Sequence, residues 1–287
     1  MTSQPPPLVT RKATRSGLPV LSTYFSEVWR FRVFAWRWSL SEIKSLNFET
    51  LLGRVWHIIN PLLFGLIYFV FVGIVSGRGL DSVSMLAAIV GNLYAWVYFS
   101  SIVTSGIAAV HSGAGGVSSQ SGIPKIVVPI ASTMTASNLF LRSLIAYVLI
   151  HLVAQRGLHL EMLLSPVVAL LIAMFGIGCG LILATLNVYI RDISRLVPHV
   201  LRLLMYLSPV IWPYTKVLGD GALNFFARLN PFYSGITAWM ISLGGTLDPD
   251  GPKILEQIGI FAIWSISTFV VGMFLFISKE DEFAIRN

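Results

Sequence analysis

Residues 162–190 read MLLSPVVALLIAMFGIGCGLILATLNVYI, 29 positions without an Asp, Glu, Lys or Arg. A bilayer core excludes charge and takes ~20 apolar residues to cross as a helix, so this stretch reads as a membrane span. Three further uncharged tracts lie at 55–77, 82–124 and 257–278. The composition follows from them: of 287 residues, 55% are hydrophobic and 11% charged, where a soluble domain carries roughly 25% charged residues. A soluble globular fold is excluded. The expected fold class is an all-α polytopic membrane protein with six transmembrane helices, near 58–77, 84–108, 130–154, 163–187, 197–213 and 256–278.

The charges set the orientation. There are 20 Lys and Arg against 13 Asp and Glu, a net charge of +7, and short cytoplasmic loops collect the basic ones. With the N-terminus inside, the cytoplasmic side holds Arg11, Lys12, Arg15, Arg30, Arg32, Arg37, Lys44, Arg54, Lys125, Arg191, Arg195, Lys279 and Arg286, whereas only Arg78, Arg156, Lys216, Arg228 and Lys253 lie outside. The basic excess is therefore topology plus attraction to anionic membrane lipids, and no nucleic acid is expected as a partner. Residues 1–20 are polar, carry Pro5, Pro6 and Pro7 and lack the apolar core of a secretory signal, so they read as a disordered cytoplasmic tail. The expected domains after it are a cytoplasmic interfacial helix and connector at 21–54, a transmembrane domain at 55–278 and a cytoplasmic tail at 279–287. Within that domain, 216–246 is apolar but broken by Gly219, Gly221, Pro231 and Gly235. It is either a seventh span or a pair of re-entrant helices; the second is preferred because Asn230-Pro231 reads as a turn between two half-length helices.

Chemistry inside a membrane needs paired ionisable groups, and the sequence lacks them. There is no HExxH, no GxSxG, no pair of acidic residues within a span and no GxxxxGK[ST] phosphate loop. No catalytic residue and no cofactor is expected in this chain, and any ATP must be bound by another subunit. The single cysteine, Cys179, sits in an apolar run, and no Cys/His spacing suggests a metal.

Other patterns are informative. In 27–41, EVWRFRVFAWRWSLS, the residues Trp29, Val33, Trp36 and Leu40 recur at i, i+4, i+7 and i+11, with Arg30 and Arg37 about 90° away. That describes a helix in the headgroup plane, either a simple anchor or a gating and docking element. The stretch 109–125, AVHSGAGGVSSQSGIPK, reads as the cytoplasmic turn between spans two and three, a connector or a docking site. Phe64, Tyr68 and Phe71 share a face of span one, and Tyr94, Tyr98, Ser101 and Ser105 form a hydroxyl-bearing stripe on span two. These faces either pack or line a conduit in which rings stack on sugars and hydroxyls replace water. Arg142 lies within span three, where a charge costs ~2.5–3.5 kcal/mol on insertion scales, so it is expected to face protein or water. Gly176 and Gly180 form a small-xxx-small pair suited to close helix packing.

Several segments together carry a family resemblance. SEIKSLNFETLLGRVWHIINPLL at 41–63, with Glu42, Lys44, Thr50, Gly53, Trp56 and Pro61, is followed by LNVYIRDI at 186–193, LSPVIWP at 207–213 and LNPF at 229–232. In this order they resemble the permease subunits of type-2 ABC exporters that carry O-antigen, teichoic acid and actinobacterial cell-wall galactan. Leu46, Asn47 and Phe48 depart from the basic-aromatic-basic run that relatives often carry there. The resemblance implies a homodimer with six spans per chain, an N-terminal gate helix and external re-entrant helices between spans five and six. It implies two cytoplasmic ATPase subunits that bind ATP and Mg, and a lipid-diphosphate-linked polysaccharide threaded through a channel at the dimer centre in a bacterial inner membrane. The turn carrying Ser112, Gly115 and Lys125, and the Arg191-Asp192 turn, are then expected near the ATPases. Pro209 is expected to free a carbonyl and bend span five, and Arg-rich inner segments suit a diphosphate. A same-family permease for a small molecule, a secondary transporter and a channel are the competing readings.

Overall fold

Each uncharged tract carries a helix, because within a bilayer a helix satisfies all its backbone N–H and C=O groups inside one segment. The computed structural model describes residues 20–46, 53–75, 83–114, 123–155, 157–211, 230–244, 253–280 and 282–283. Among these residues there are nine α-helices and no strand: α1 (Leu21–Arg30), α2 (Arg32–Ser45), α3 (Trp56–Val75), α4 (Val83–Ala114), α5 (Val127–Val153), α6 (Ser165–Tyr189), α7 (Ile193–Leu207), α8 (Pro231–Ser242) and α9 (Ile254–Lys279). Among the described residues, four stretches are long and apolar enough to cross a membrane, namely Val83–Ala109, Val127–Val153, Leu160–Tyr189 and Ile254–Lys279. The apolar run in α3 is shorter, Ile58–Phe71, and α7 has 15 residues.

Helix α6 is the hub, and glycine makes it one. The Gly176 and Gly180 face meets Ile102 and Val103 of α4, and Gly106 of α4 meets Gly180 across the same seam. On the other side, Gly178 lies against the Thr268 and Phe269 backbone of α9, while Gly272 of α9 lies against the Gly178 carbonyl. A side chain at either position would push the backbones apart. Helix α5 packs on α4, and α2 packs on α5.

Helix α8 is short and buried around its circumference. Its Phe232 ring sits 5.0 Å from Trp96, 4.6 Å from Phe99 and 5.3 Å from Phe175. Gly235 makes room for the Phe261 ring, and Trp239 Nε1 donates to the Gly91 carbonyl at 2.9 Å. The N-terminus is satisfied by Asn230, whose Oδ1 accepts from Phe232 N–H at 3.0 Å and whose Nδ2 donates to Ser208 Oγ at 3.0 Å. A half-length helix in apolar surroundings needs such a cap because water is absent. The preceding residues 212–229 lie outside the described residues, as do 1–19 and 115–122 with Gly115.

Three expectations are corrected. The segment expected as one interfacial helix is a pair: Phe31 (φ −87°, ψ 7°) ends α1 and starts α2, packing beside Ala35, Ile123, Val127 and Ala131. Ala35, Ser39 and Ile43 are buried, whereas Trp29, Val33, Trp36 and Leu40 are all exposed. Second, α4 runs on to Ala114, through the first third of the expected 109–125 turn and with Ser112 in its last helical turn. Third, Pro209 does not bend span five. Helix α7 ends at Leu207, the proline inside it is Pro198, and the Pro209 carbonyl accepts from Asn92 Nδ2 at 3.4 Å in the turn beyond.

The glycine seams yield a prediction. A Cβ at Gly178 would stand 2.6 Å from the α9 backbone, whereas one at Gly259 meets nothing within 4 Å. Gly178→Ala should lower stability by about 1–3 kcal/mol, and Gly259→Ala should change it by less than about 0.5 kcal/mol. Thermal unfolding of the purified variants in detergent reads the difference.

Candidate functional site

A cavity of about 550 Å³ is bounded by α3, α4 and α7. Helix α3 contributes Phe64 and Tyr68, α4 contributes Leu93, Trp96, Val97, Ser100, Ser101 and Thr104, and α7 contributes Pro198, Leu201, Arg202, Met205 and Tyr206. The Tyr68 and Tyr206 hydroxyls share a hydrogen bond of 2.8 Å, their rings edge to face at 6.1 Å. Thr104 Oγ1 donates to the Ser100 carbonyl at 2.8 Å and Ser100 Oγ to the Val97 carbonyl at 3.1 Å. Each hydroxyl thus spends its proton within the helix and keeps its oxygen free to accept. Arg202 and Tyr206 are exposed, so the cavity is open on the flank of the bundle.

The predicted aromatic stripes are divided by this geometry. Phe64, Tyr68 and Ser101 come together in the cavity, while Phe71 is 61% exposed and points elsewhere. Tyr94 is buried and its Oη donates to the Ile58 carbonyl at 3.3 Å, which ties α4 to α3. Tyr98 is buried too, stacked on Phe140 at 4.3 Å with its hydroxyl hydrogen-bonded to Ser137 Oγ at 2.8 Å. Ser105 belongs to a second cavity, of about 300 Å³, with Trp38, Glu42 and Ser132. The α4 stripe that meets the main cavity is Leu93, Val97, Ser100 and Thr104, with the expected i, i+4, i+7, i+11 spacing but one residue earlier, a rotation of about 100°.

Arg142 stands away from both cavities. It is half-buried on α5 beside the lipid-type residues Leu141 and Ile145, and it makes no ion pair or hydrogen bond among the described residues. On α1 and α2, Trp29, Arg30, Trp36 and Arg37 are exposed. Arg32 holds Trp29, its guanidinium 5.0 Å above the ring and its Nη1 donating to the Trp29 carbonyl at 3.1 Å. Arg191 and Asp192 form an exposed turn between α6 and α7, with Asp192 and Arg195 3.9 Å apart; so solvated a pair contributes little. The turn is anchored by Asn187, whose Oδ1 accepts from Ser194 N–H at 3.0 Å. Lys125, just ahead of α5, bonds to Glu280 through both its backbone N–H and its Nζ.

Arg202, Tyr206, Trp96 and Thr104 are cavity residues that motif reading passed over. Their signal is periodic: 198, 201, 202, 205 and 206 fall on one face of α7. Among the described residues, no three His, Cys, Asp or Glu side chains gather to hold a metal ion. The cavity's chemistry is that of aromatic faces, hydroxyl acceptors and one guanidinium, groups that can stack on apolar faces, accept from hydroxyls and pair with anions.

Accessibility distinguishes the two α4 faces. In a Cys179→Ser background, Thr104→Cys and Tyr206→Cys should react with a membrane-impermeant maleimide at least about tenfold faster than Tyr98→Cys, because reaction needs an exposed thiolate. Mass-shift gels over time give the rates.

Similarity to known proteins agrees with the helix pattern. The family model described as "ABC-2 type transporter" matches residues 36–243. The O-antigen export system permease protein RfbA of Myxococcus xanthus is 25% identical over 245 residues, covering 85% of this chain and 91% of that protein. A protein of the same name from Klebsiella pneumoniae is 25% identical over 238 residues, 82% of this chain and 88% of that one. The match runs from within α2 to the end of α8 and so takes in all three walls of the cavity: the chain belongs to the ABC-2 type transporter membrane family.

Proposed function

We propose that this chain is the permease subunit of an ATP-driven exporter that moves a lipid-diphosphate-linked cell-surface polysaccharide from the cytoplasm across a bacterial inner membrane. The observation that carries the proposal is the cavity between α3, α4 and α7, where aromatic rings, hydroxyl acceptors and Arg202 line one open flank. Sugars offer C–H faces to rings and hydroxyls to oxygen acceptors, and a diphosphate matches a guanidinium. The names of the RfbA relatives support the same cargo class. Two copies of the chain would set their open flanks facing each other and enclose a conduit.

In this reading α3, α4, α5, α6, α7 and α9 are the six spans, α8 is an external re-entrant helix, and both termini are cytoplasmic. Two ATPase subunits bind ATP and Mg and dock near Lys125 and the Arg191-Asp192 turn. A permease for an apolar small molecule would be served by an aliphatic wall, and the hydroxyls and Arg202 speak against it.

The test is co-expression with an ATPase subunit. The isolated chain should neither bind nor hydrolyse ATP, and the complex should hydrolyse it faster when lipid-linked glycan is supplied. Arg202→Gln removes a charge-assisted contact of about 1.5–3 kcal/mol, so half-maximal stimulation should need roughly ten- to a hundredfold more glycan, with Arg202→Lys intermediate. Nucleotide binding by the chain alone, or stimulation indifferent to Arg202, would count against the proposal.

A further inference from the structure

The residues at and beyond the end of α9 fold back onto the bundle. One Glu280 carboxylate oxygen accepts from Tyr24 Oη at 2.5 Å, the other accepts from the Lys125 backbone N–H, and the Glu280 carbonyl accepts from Lys125 Nζ at 2.9 Å. Two residues on, Glu282 accepts from Tyr189 Oη at 2.5 Å and from Lys279 Nζ at 2.7 Å. Phe283 is fully buried, its ring 5.1 Å from Phe276 and 5.5 Å from Lys125 Nζ. Glu280 and Glu282 therefore reach three distant parts of the chain: α1 through Tyr24, the approach to α5 through Lys125, and the last turn of α6 through Tyr189. Tyr189 precedes the Arg191-Asp192 turn by two residues.

Tyr24 is the partner with least freedom. It is 8% exposed and packs in the cluster of Ile126, Leu181, Val188 and Phe276. Burial, and then the Glu280 charge, push its phenol well above the ordinary tyrosine range, so it stays protonated and remains a donor. Apolar contacts alone let helices slide past one another, whereas a carboxylate shared by two donors holds its partners in one geometry.

We propose that Glu280, together with Glu282 two residues on, is a positioning residue that makes α1, the approach to α5 and the end of α6 move as one body, so that a push on the ATPase-facing turns is delivered to the α1–α2 pair. This rests on the exporter reading above, which puts those turns against the ATPases. The clasp is a direct polar link between them and α1: Lys125 and Tyr24 share one carboxylate, and Tyr189 is held by the glutamate two residues further on.

The experiment uses the full complex with its ATPase subunit, in a Cys179→Ser background, with a spin label at Ser26→Cys on α1 or at Arg195→Cys beside the α6–α7 turn. Both positions are exposed. A non-hydrolysable ATP analogue with Mg should change the spectrum of both labels in the otherwise unaltered complex. Glu280→Ala and Tyr24→Phe should each reduce the response on α1 at least threefold while the response at Arg195 persists. Tyr24→Phe keeps the buried ring and removes only the hydroxyl, so it separates a lost link from a lost fold. An undiminished α1 response in both variants would overturn the proposal. So would the joint loss of both responses in Tyr24→Phe, which would make the clasp a support of the fold alone. No response at Arg195 in the unaltered complex would bring down the exporter reading itself, and the clasp's role with it.

Discussion

A close approach of helix backbones, at Gly178 and Gly272, orders the rest of the molecule. Lipid tails are as apolar as leucine, so helices in a bilayer gain little from hiding apolar surface from each other and depend on contact distance instead. Glycines on opposite sides of α6 let it touch α4 and α9 at once. Helix α4 is then committed on one face to α6 through Ile102, Val103 and Gly106. A second face, with Tyr94 and Tyr98, is taken by α3 and α5. The face that remains, Leu93, Val97, Ser100 and Thr104, is the wall of the cavity. Three faces about 100° apart divide one helix between packing and opening.

Much of the fold was legible because charge exclusion acts on long runs of residues, and the four uncharged tracts each became helices. The periodicity of the α4 stripe was legible as well; its phase was not. Tyr94 and Tyr98 look like conduit residues by chemistry, but an aromatic ring with a hydroxyl also suits a buried seam, where Ile58 O and Ser137 Oγ satisfy it. Which face is left open depends on where α7 lies, and that is a long-range fact. The break at Phe31 was hidden for a similar reason: Trp29, Val33, Trp36 and Leu40 keep an unbroken helical spacing, while the break itself is stabilised by contacts with the approach to α5 and with α5 itself. Pro209 misled because proline kinks helices only when it lies inside one, and the helix ends two residues earlier.

Helix α2 has two apolar sides with separate uses. Ala35, Ser39 and Ile43 face the bundle, and Trp36 and Leu40 face outward. An exposed apolar row of this kind is covered in a membrane by the headgroup and acyl boundary. Whatever covers Trp36 and Leu40 is therefore mechanically joined to the grip of α2 on α5. Glu42 adds to the grip, accepting from Thr135 Oγ1 at 2.7 Å.

The burial of α8 has a consequence for how the chain is made. Twelve residues rise about 18 Å, too short to cross the hydrocarbon by themselves. The pocket that holds α8 is built from α4 and α6, already synthesised, and from Phe261 of α9, which is not. As the ribosome finishes α8, one wall of its pocket does not yet exist. The segment can reach its final packing only once α9 has been made, so α8 settles after the helix that follows it rather than in the order of synthesis.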